Sequence, residues 1–158
     1  MYQYQTSKNK KRGISIIEIL ISIGIIAILS SVSVYVFARL AQNISLDRDA
    51  NVVVSYIDKA RTMSINSVDS IEHGVYFEAN KVTVFNSTAY SPSNIDSYYD
   101  IPAKSVITSI DLTGGASALY FDKLTGAPNN SGTITLTSSD GTESKLITIY
   151  ATGIVDIQ

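Results

Sequence analysis

From Ile14 to Ala38 the chain holds 25 residues with a single side chain charged at neutral pH, Glu18, and no proline. A helix of about 20 apolar residues is enough to cross bilayer hydrocarbon, so this run is long enough to span. Isoleucine dominates it and favours strands in water. In lipid, however, the backbone must satisfy its own hydrogen bonds, and length then decides for helix. The run exceeds the roughly 7–15 apolar residues of a cleaved secretory signal, and no small-x-small cleavage pattern follows it. Ser22 and Gly24, weak points in a soluble helix, allow neighbouring helices to approach closely in a membrane. A lone carboxylate in such a segment is costly and calls for a partner.

The charge is distributed unevenly. Lys8, Lys10, Lys11 and Arg12 precede the apolar run, and residues 1–13 contain no acid. Four bases beside a spanning segment place the N-terminus in the cytoplasm and the remainder outside. The whole chain has 12 bases and 14 acids, a net charge of −2; without residues 1–13 it has 8 bases and 14 acids, or −6. An acidic exported domain does not attract polyanions, so nucleic-acid binding through bulk electrostatics is not expected. The absence of cysteine excludes disulfides, thiolate metal sites and thiol catalysis.

After Arg39 the pattern becomes amphipathic. Leu40 and Ile44 open an apolar stripe that continues through Leu46, Ala50, Val53, Ile57 and Ala60, while Asp47, Arg48, Asp49, Asp58, Lys59 and Arg61 fall mostly off it. Neither proline nor glycine interrupts residues 25–73, which favours one helix from about 15 to about 67 over two helices broken near Asn43–Asp47. Gly74 marks a change of period. Val75–Glu78 and Val82–Phe85 read as a hairpin around Asn80-Lys81. Residues 86–104, with Pro92, Pro102, Tyr90, Tyr98 and Tyr99, read as a long surface loop able to meet a partner. Strand-like runs resume at 106–112, 118–122, 133–137, 146–150 and 154–157, and their alternation points to antiparallel sheet with one wet face. The expected fold is α+β: residues 1–13 as basic leader, 14–38 as transmembrane or filament-core helix, 39–68 as its amphipathic continuation, and 69–158 as an antiparallel β domain packed on that helix.

The segment Arg12-Gly13-Ile14-Ser15-Ile16-Ile17-Glu18-Ile19-Leu20 resembles the processing motif of type IV pilins and type II secretion pseudopilins. The resemblance implies cleavage after Gly13 by a membrane prepilin peptidase, methylation of the new amine at Ile14, and use of Glu18 in filament assembly. Ile14 stands where the family usually has Phe or Met, and Tyr35 where many members have proline. The chemistry is coherent. Glycine presents no side chain to a protease, and cleavage creates a cation that a carboxylate one helical turn away, or on a neighbouring subunit, can neutralise. Pairing through a buried polar group also sets register.

The C-terminal half, through Tyr120-Phe121-Asp122, Gly126, Gly132–Leu136, Ile147–Ile149 and Gly153–Val155, resembles H-type minor pseudopilins. Relatives of that type that bind DNA use basic residues near the C-terminus, whereas the tail Gly153–Gln158 has none. The resemblance implies other pilin or pseudopilin subunits, an inner-membrane assembly platform and membrane lipid as partners. It implies a single-pass bacterial membrane location before assembly into a pilus or pseudopilus. The alternative is a tip-located binding pilin serving DNA uptake, adhesion or secreted-substrate recognition.

No cofactor is implied, and no catalytic set stands out. The single histidine, His73, reads as a cap or exposed residue at the helix-to-strand boundary. Asp140, Glu143 and Asp156 lack the spacing of a calcium loop and read as solvated turn residues. The glycosylation-type triplets at Asn43 and Asn86 carry no assigned function.

Overall fold

A computed structural model describes residues 13–158, except for the side chains of residues 32–35, 38, 39 and 42. The leader residues Lys8, Lys10, Lys11 and Arg12 lie outside the described residues. Two compact units are distinguished, Met1–Arg39 and Leu40–Gln158. Helix α1 runs from Ile16 to Ile65, and its backbone is helical through Asn43–Asp47, where a break was the alternative.

In the second unit, α1 is followed by eight strands: β1 (His73–Glu78), β2 (Lys81–Phe85), β3 (Ile95–Asp100), β4 (Ser105–Leu112), β5 (Ala118–Phe121), β6 (Gly132–Ser138), β7 (Ser144–Ile149) and β8 (Val155–Ile157). They form two four-stranded sheets, β3-β2-β1-β5 and β4-β6-β7-β8, in which every pairing is antiparallel. The expectation of one sheet domain is thus refined to two sheets. Alternation tells which face of a strand is buried, but it does not say that β5 pairs with β1 rather than with its successor.

The expected β1–β2 hairpin forms, but its turn lies one residue earlier than expected: Lys81 belongs to β2 and stands opposite Glu78 across Ala79-Asn80. The long loop is corrected: residues 95–100 form β3, an edge strand on β2. Its sequence IDSYYD is polar on both faces because an edge strand buries little, and only residues 97 and 99 are even partly covered. The preceding loop folds Tyr90 onto Tyr76, ring centroids 4.0 Å apart and nearly parallel, with Phe85 edge-on at 5.8 Å. Gly74 makes that packing possible, since a Cβ there would lie 2.4 Å from the Phe85 ring and 2.5 Å from the Leu119 carbonyl oxygen.

The core lies where α1 meets the sheets. Leu46, Ala50, Val53, Ile57 and Ala60 are buried with Val75, Phe77, Val82, Val84, Leu119 and Phe121 from one sheet and Ile107, Leu112, Ile134, Leu136, Ile147 and Ile149 from the other. The start of the expected stripe is corrected. Leu40 and Ile44 are exposed, because the step of two from Ile44 to Leu46 moves off the face. The buried face instead includes Asp49 and Ser64, so that 46, 49, 53, 57, 60 and 64 follow one another by threes and fours.

His73 is also corrected, being 1% exposed with no partner for Nδ1 among the described residues. Its backbone is pinned instead: its N–H donates to Ser64 Oγ at 2.8 Å, and that hydroxyl donates to the His73 carbonyl. The strand places the ring inward opposite Phe121, which position in the sequence did not disclose. Burial pushes the imidazole below its ordinary pKa of 6.5, and Asp96, Asp69 and Glu72 only partly offset this. A base with a depressed folded pKa contributes stability above its unfolded value that is lost as pH falls below it. Denaturant midpoints should therefore drop as pH falls from about 7 toward 5, and His73→Leu should flatten that slope. An unchanged slope in the variant would remove His73 as its source.

Candidate processing and assembly site

Gly13, Ile14 and Ser15 precede the helix and are all exposed. The Ser15 carbonyl accepts the first two helical bonds, from Glu18 N at 3.1 Å and Ile19 N at 3.3 Å. Ser15 is therefore the residue at the helix cap, and Glu18 lies in the first turn. Four orphan N–H groups at that end carry partial positive charge, so a carboxylate in the first turn is favoured by about 0.3–1 kcal/mol when exposed. The spacing Ser15-x-x-Glu18 also has the form of a capping box, a signal overlooked when Glu18 is read only as an awkward membrane charge.

Gly13 makes no structural demand here, because a Cβ at that position would meet nothing within 4 Å. Any need for glycine must come from whatever binds the segment. Ile14 is 73% exposed and open to a processing enzyme.

Among the described residues, the first unit has no internal cover. Every side chain from Gly13 to Ser31 is exposed, including ten large aliphatics between Ile16 and Leu29. Each would gain about 1.5–3 kcal/mol if fully covered by lipid or protein. Its hydroxyls already suit such surroundings: Ser22 donates to the Glu18 carbonyl at 2.7 Å, Ser30 to Ile26 at 2.7 Å and Ser31 to Ile28 at 2.8 Å. Among the described residues no helix is long and apolar enough to cross a membrane; the expected span over 14–38 includes side chains outside the description.

A second polar centre, in the sheet unit, was missed by sequence reasoning. The fully buried Asp49 carboxylate accepts Tyr99 Oη on one oxygen at 2.9 Å and Ser105 Oγ on the other at 2.8 Å. Arg48 Nη2 adds a 3.0 Å ion pair from the surface. Burial, followed by the bond to Asp49, raises the Tyr99 phenol pKa. Asp49 thereby joins α1 to β3 in one sheet and β4 in the other. The available signal was an acid at a helix position in register with the buried stripe.

The remaining candidates are structural in geometry. Asp140 accepts Ser138 Oγ at 2.6 Å and both the N–H and the hydroxyl of Thr142, bonds that hold its carboxyl below the usual range. Among the described residues no cluster of histidine and acidic side chains could hold a metal ion.

The prokaryotic N-terminal methylation motif matches residues 8–34, which include the four leader bases, Gly13, Ile14 and Glu18. The match supports a pilin-like prepilin subunit related to type IV pilins and pseudopilins, a structural rather than catalytic group, and with it processing by a prepilin peptidase and assembly with other pilin subunits. No curated protein matches the chain, and no solved structure does.

Proposed function

We propose that this chain is the precursor of a minor pilin or pseudopilin subunit, cut between Gly13 and Ile14, N-methylated at Ile14 and assembled into a pilus or type II secretion pseudopilus through its apolar helix. The observation that carries this reading is the methylation motif lying on an exposed Gly13–Ile14 segment and on the part of the helix from Ile16 to Ser31 whose side chains are all exposed. Before processing, the leader bases hold the N-terminus in the cytoplasm and the β domain lies outside, with the helix in lipid. Afterwards the helix exchanges lipid for neighbouring helices. Lipid is as apolar as isoleucine, so packing and polar pairing must drive that exchange. Glu18 supplies the pairing, to an N-terminal amine, and the inner-membrane platform supplies the energy. The H-type assignment and minor status rest on the C-terminal sequence likeness.

Mass spectrometry of the protein from native membranes or filaments should find N-methylated Ile14 as the first residue, and low abundance relative to a major subunit. Gly13→Leu should leave the full-length precursor in the membrane, with processed protein reduced at least tenfold. Normal processing of that variant would move the cleavage site elsewhere.

A further inference from the structure

The four non-glycine residues with positive φ among the described residues gather at one end of the sheet unit. Ser67 (φ 49°), Asp69 (52°) and Ser70 (59°) crowd into the connector between α1 and β1, and Leu124 (65°) sits in the β5–β6 loop that meets it. A side chain in this left-handed region is costly, and such strain persists only where the surroundings hold it. The contacts that tie the connector down are polar. Ser64 Oγ accepts the His73 N–H at 2.8 Å, Lys123 Nζ donates to the Ser70 carbonyl at 3.1 Å, and the Leu124 N–H donates to the Ser64 carbonyl at 3.2 Å. His73 closes the connector. It shares a face of β1 with the core residues Val75 and Phe77, and its buried Nδ1 has no hydrogen-bond partner among the described residues. The charged groups acting on the ring are Asp96 on β3, held by Lys59 of α1 at 2.8 Å, and Asp69 and Glu72 on the connector, Glu72 being paired with Lys123 at 3.6 Å. On β5 the uncharged Phe121 stands opposite.

We propose that His73 and this strained connector form an acid-operated latch: when the imidazole takes up a proton from solvent, the start of β1 leaves Ser64 and the join between α1 and β1 opens. The neutral ring suits its apolar cover. A buried imidazolium does not, because it has lost water and none of the three carboxylates bonds Nδ1. The ring reaches them, and water, by turning out from the core face, which draws its own N–H off Ser64. The left-handed residues then relax, so strain held in the closed connector works toward opening. Burial holds the folded imidazole below its ordinary pKa of 6.5, so the closed form is favoured above that value and loses ground as pH falls below it. The latch belongs to the sheet unit alone and does not require cleavage at Gly13.

Amide hydrogen exchange of the full chain in detergent micelles, corrected for the intrinsic effect of pH, reads the latch on peptides covering residues 64–75. Lowering the pH from about 7.5 to about 5.5, roughly one unit below the open-state pKa, should speed their corrected exchange about tenfold. That exchange should be insensitive to low urea, because a local opening exposes little surface. His73→Gln should abolish the pH effect. Ser70→Gly, which relieves one left-handed side chain, should slow exchange about threefold at both pH values. Circular dichroism checks that each variant is folded. The chain has one histidine, so its imidazole NMR signal can be titrated without any substitution, and its midpoint should lie below 6.5. No pH effect on exchange, an equal effect in folded His73→Gln, or exchange as urea-dependent as that of β6 would each overturn the proposal. So would faster exchange in Ser70→Gly, or an imidazole midpoint at or above 6.5 with the connector closed.

Discussion

Glu18→Ala is expected to leave cleavage and methylation intact while reducing incorporation into filaments by an order of magnitude or more. The carboxylate lies in the first turn of an exposed apolar helix, near Ile14, whose amine would be created by cleavage. On the proposed function, removing it would leave a cation to enter a helix bundle unpaired, at a cost of several kcal/mol. The same change costs the isolated helix only the modest loss of a favourable charge at its N-terminus, so the subunit should remain folded and membrane-bound. Glu18→Gln separates charge from hydrogen bonding: it should also fail if neutralisation is the requirement. Immunoblots of sheared filaments against membrane fractions measure the ratio, and normal incorporation of Glu18→Ala would remove Glu18 from assembly.

Asp49→Ala should destabilise the sheet unit by about 3 kcal/mol, since stranding a buried hydroxyl costs about 1–3 kcal/mol and two hydroxyls lose their acceptor. Ser105 is 2% exposed, so its hydroxyl has no route to water. Tyr99 is only partly covered and recovers some solvation. In a domain of this size the loss corresponds to a fall in Tm on the order of 10 °C. Ser105→Ala in the Asp49→Ala background should cost less than it does alone, because the stranded group is removed, and a double-mutant cycle measures that coupling. A variant within about 0.5 kcal/mol of the parent, the usual range for surface changes, would show that the cluster contributes nothing net.

The two halves of the chain were legible to different degrees for physical reasons. The N-terminal segment was readable because its constraints are local: basic residues, a glycine, an acid at fixed spacing and an apolar run. The strands after Gly74 were readable because side-chain alternation is also local, and the observed strands β4 to β8 fall within a residue or two of their expected bounds. What escaped was non-local. β3 exists because β2 offers an edge and not because IDSYYD favours strand. Asp49 is buried because Tyr99 and Ser105 arrive from 50 and 56 residues away, which no helix pattern can register. His73 is buried because β1 is an interior strand, flanked by β2 and β5.

Contacts from α1 to the sheets and to the loop between β5 and β6 are spread over about four helical turns. Asp47 pairs with Lys145 at 3.0 Å and Asp49 binds Tyr99 and Ser105. Tyr56 donates to the Tyr98 carbonyl, Lys59 pairs with Asp96 at 2.8 Å, and Arg61 donates to the Gly126 carbonyl. A force applied along this part of the helix would load these links together, in shear, and could not peel them apart one at a time. Rupture would require the core residues between them to slide at once. Resistance to traction would thus be governed by the height of a single unfolding barrier and not by the weakest contact.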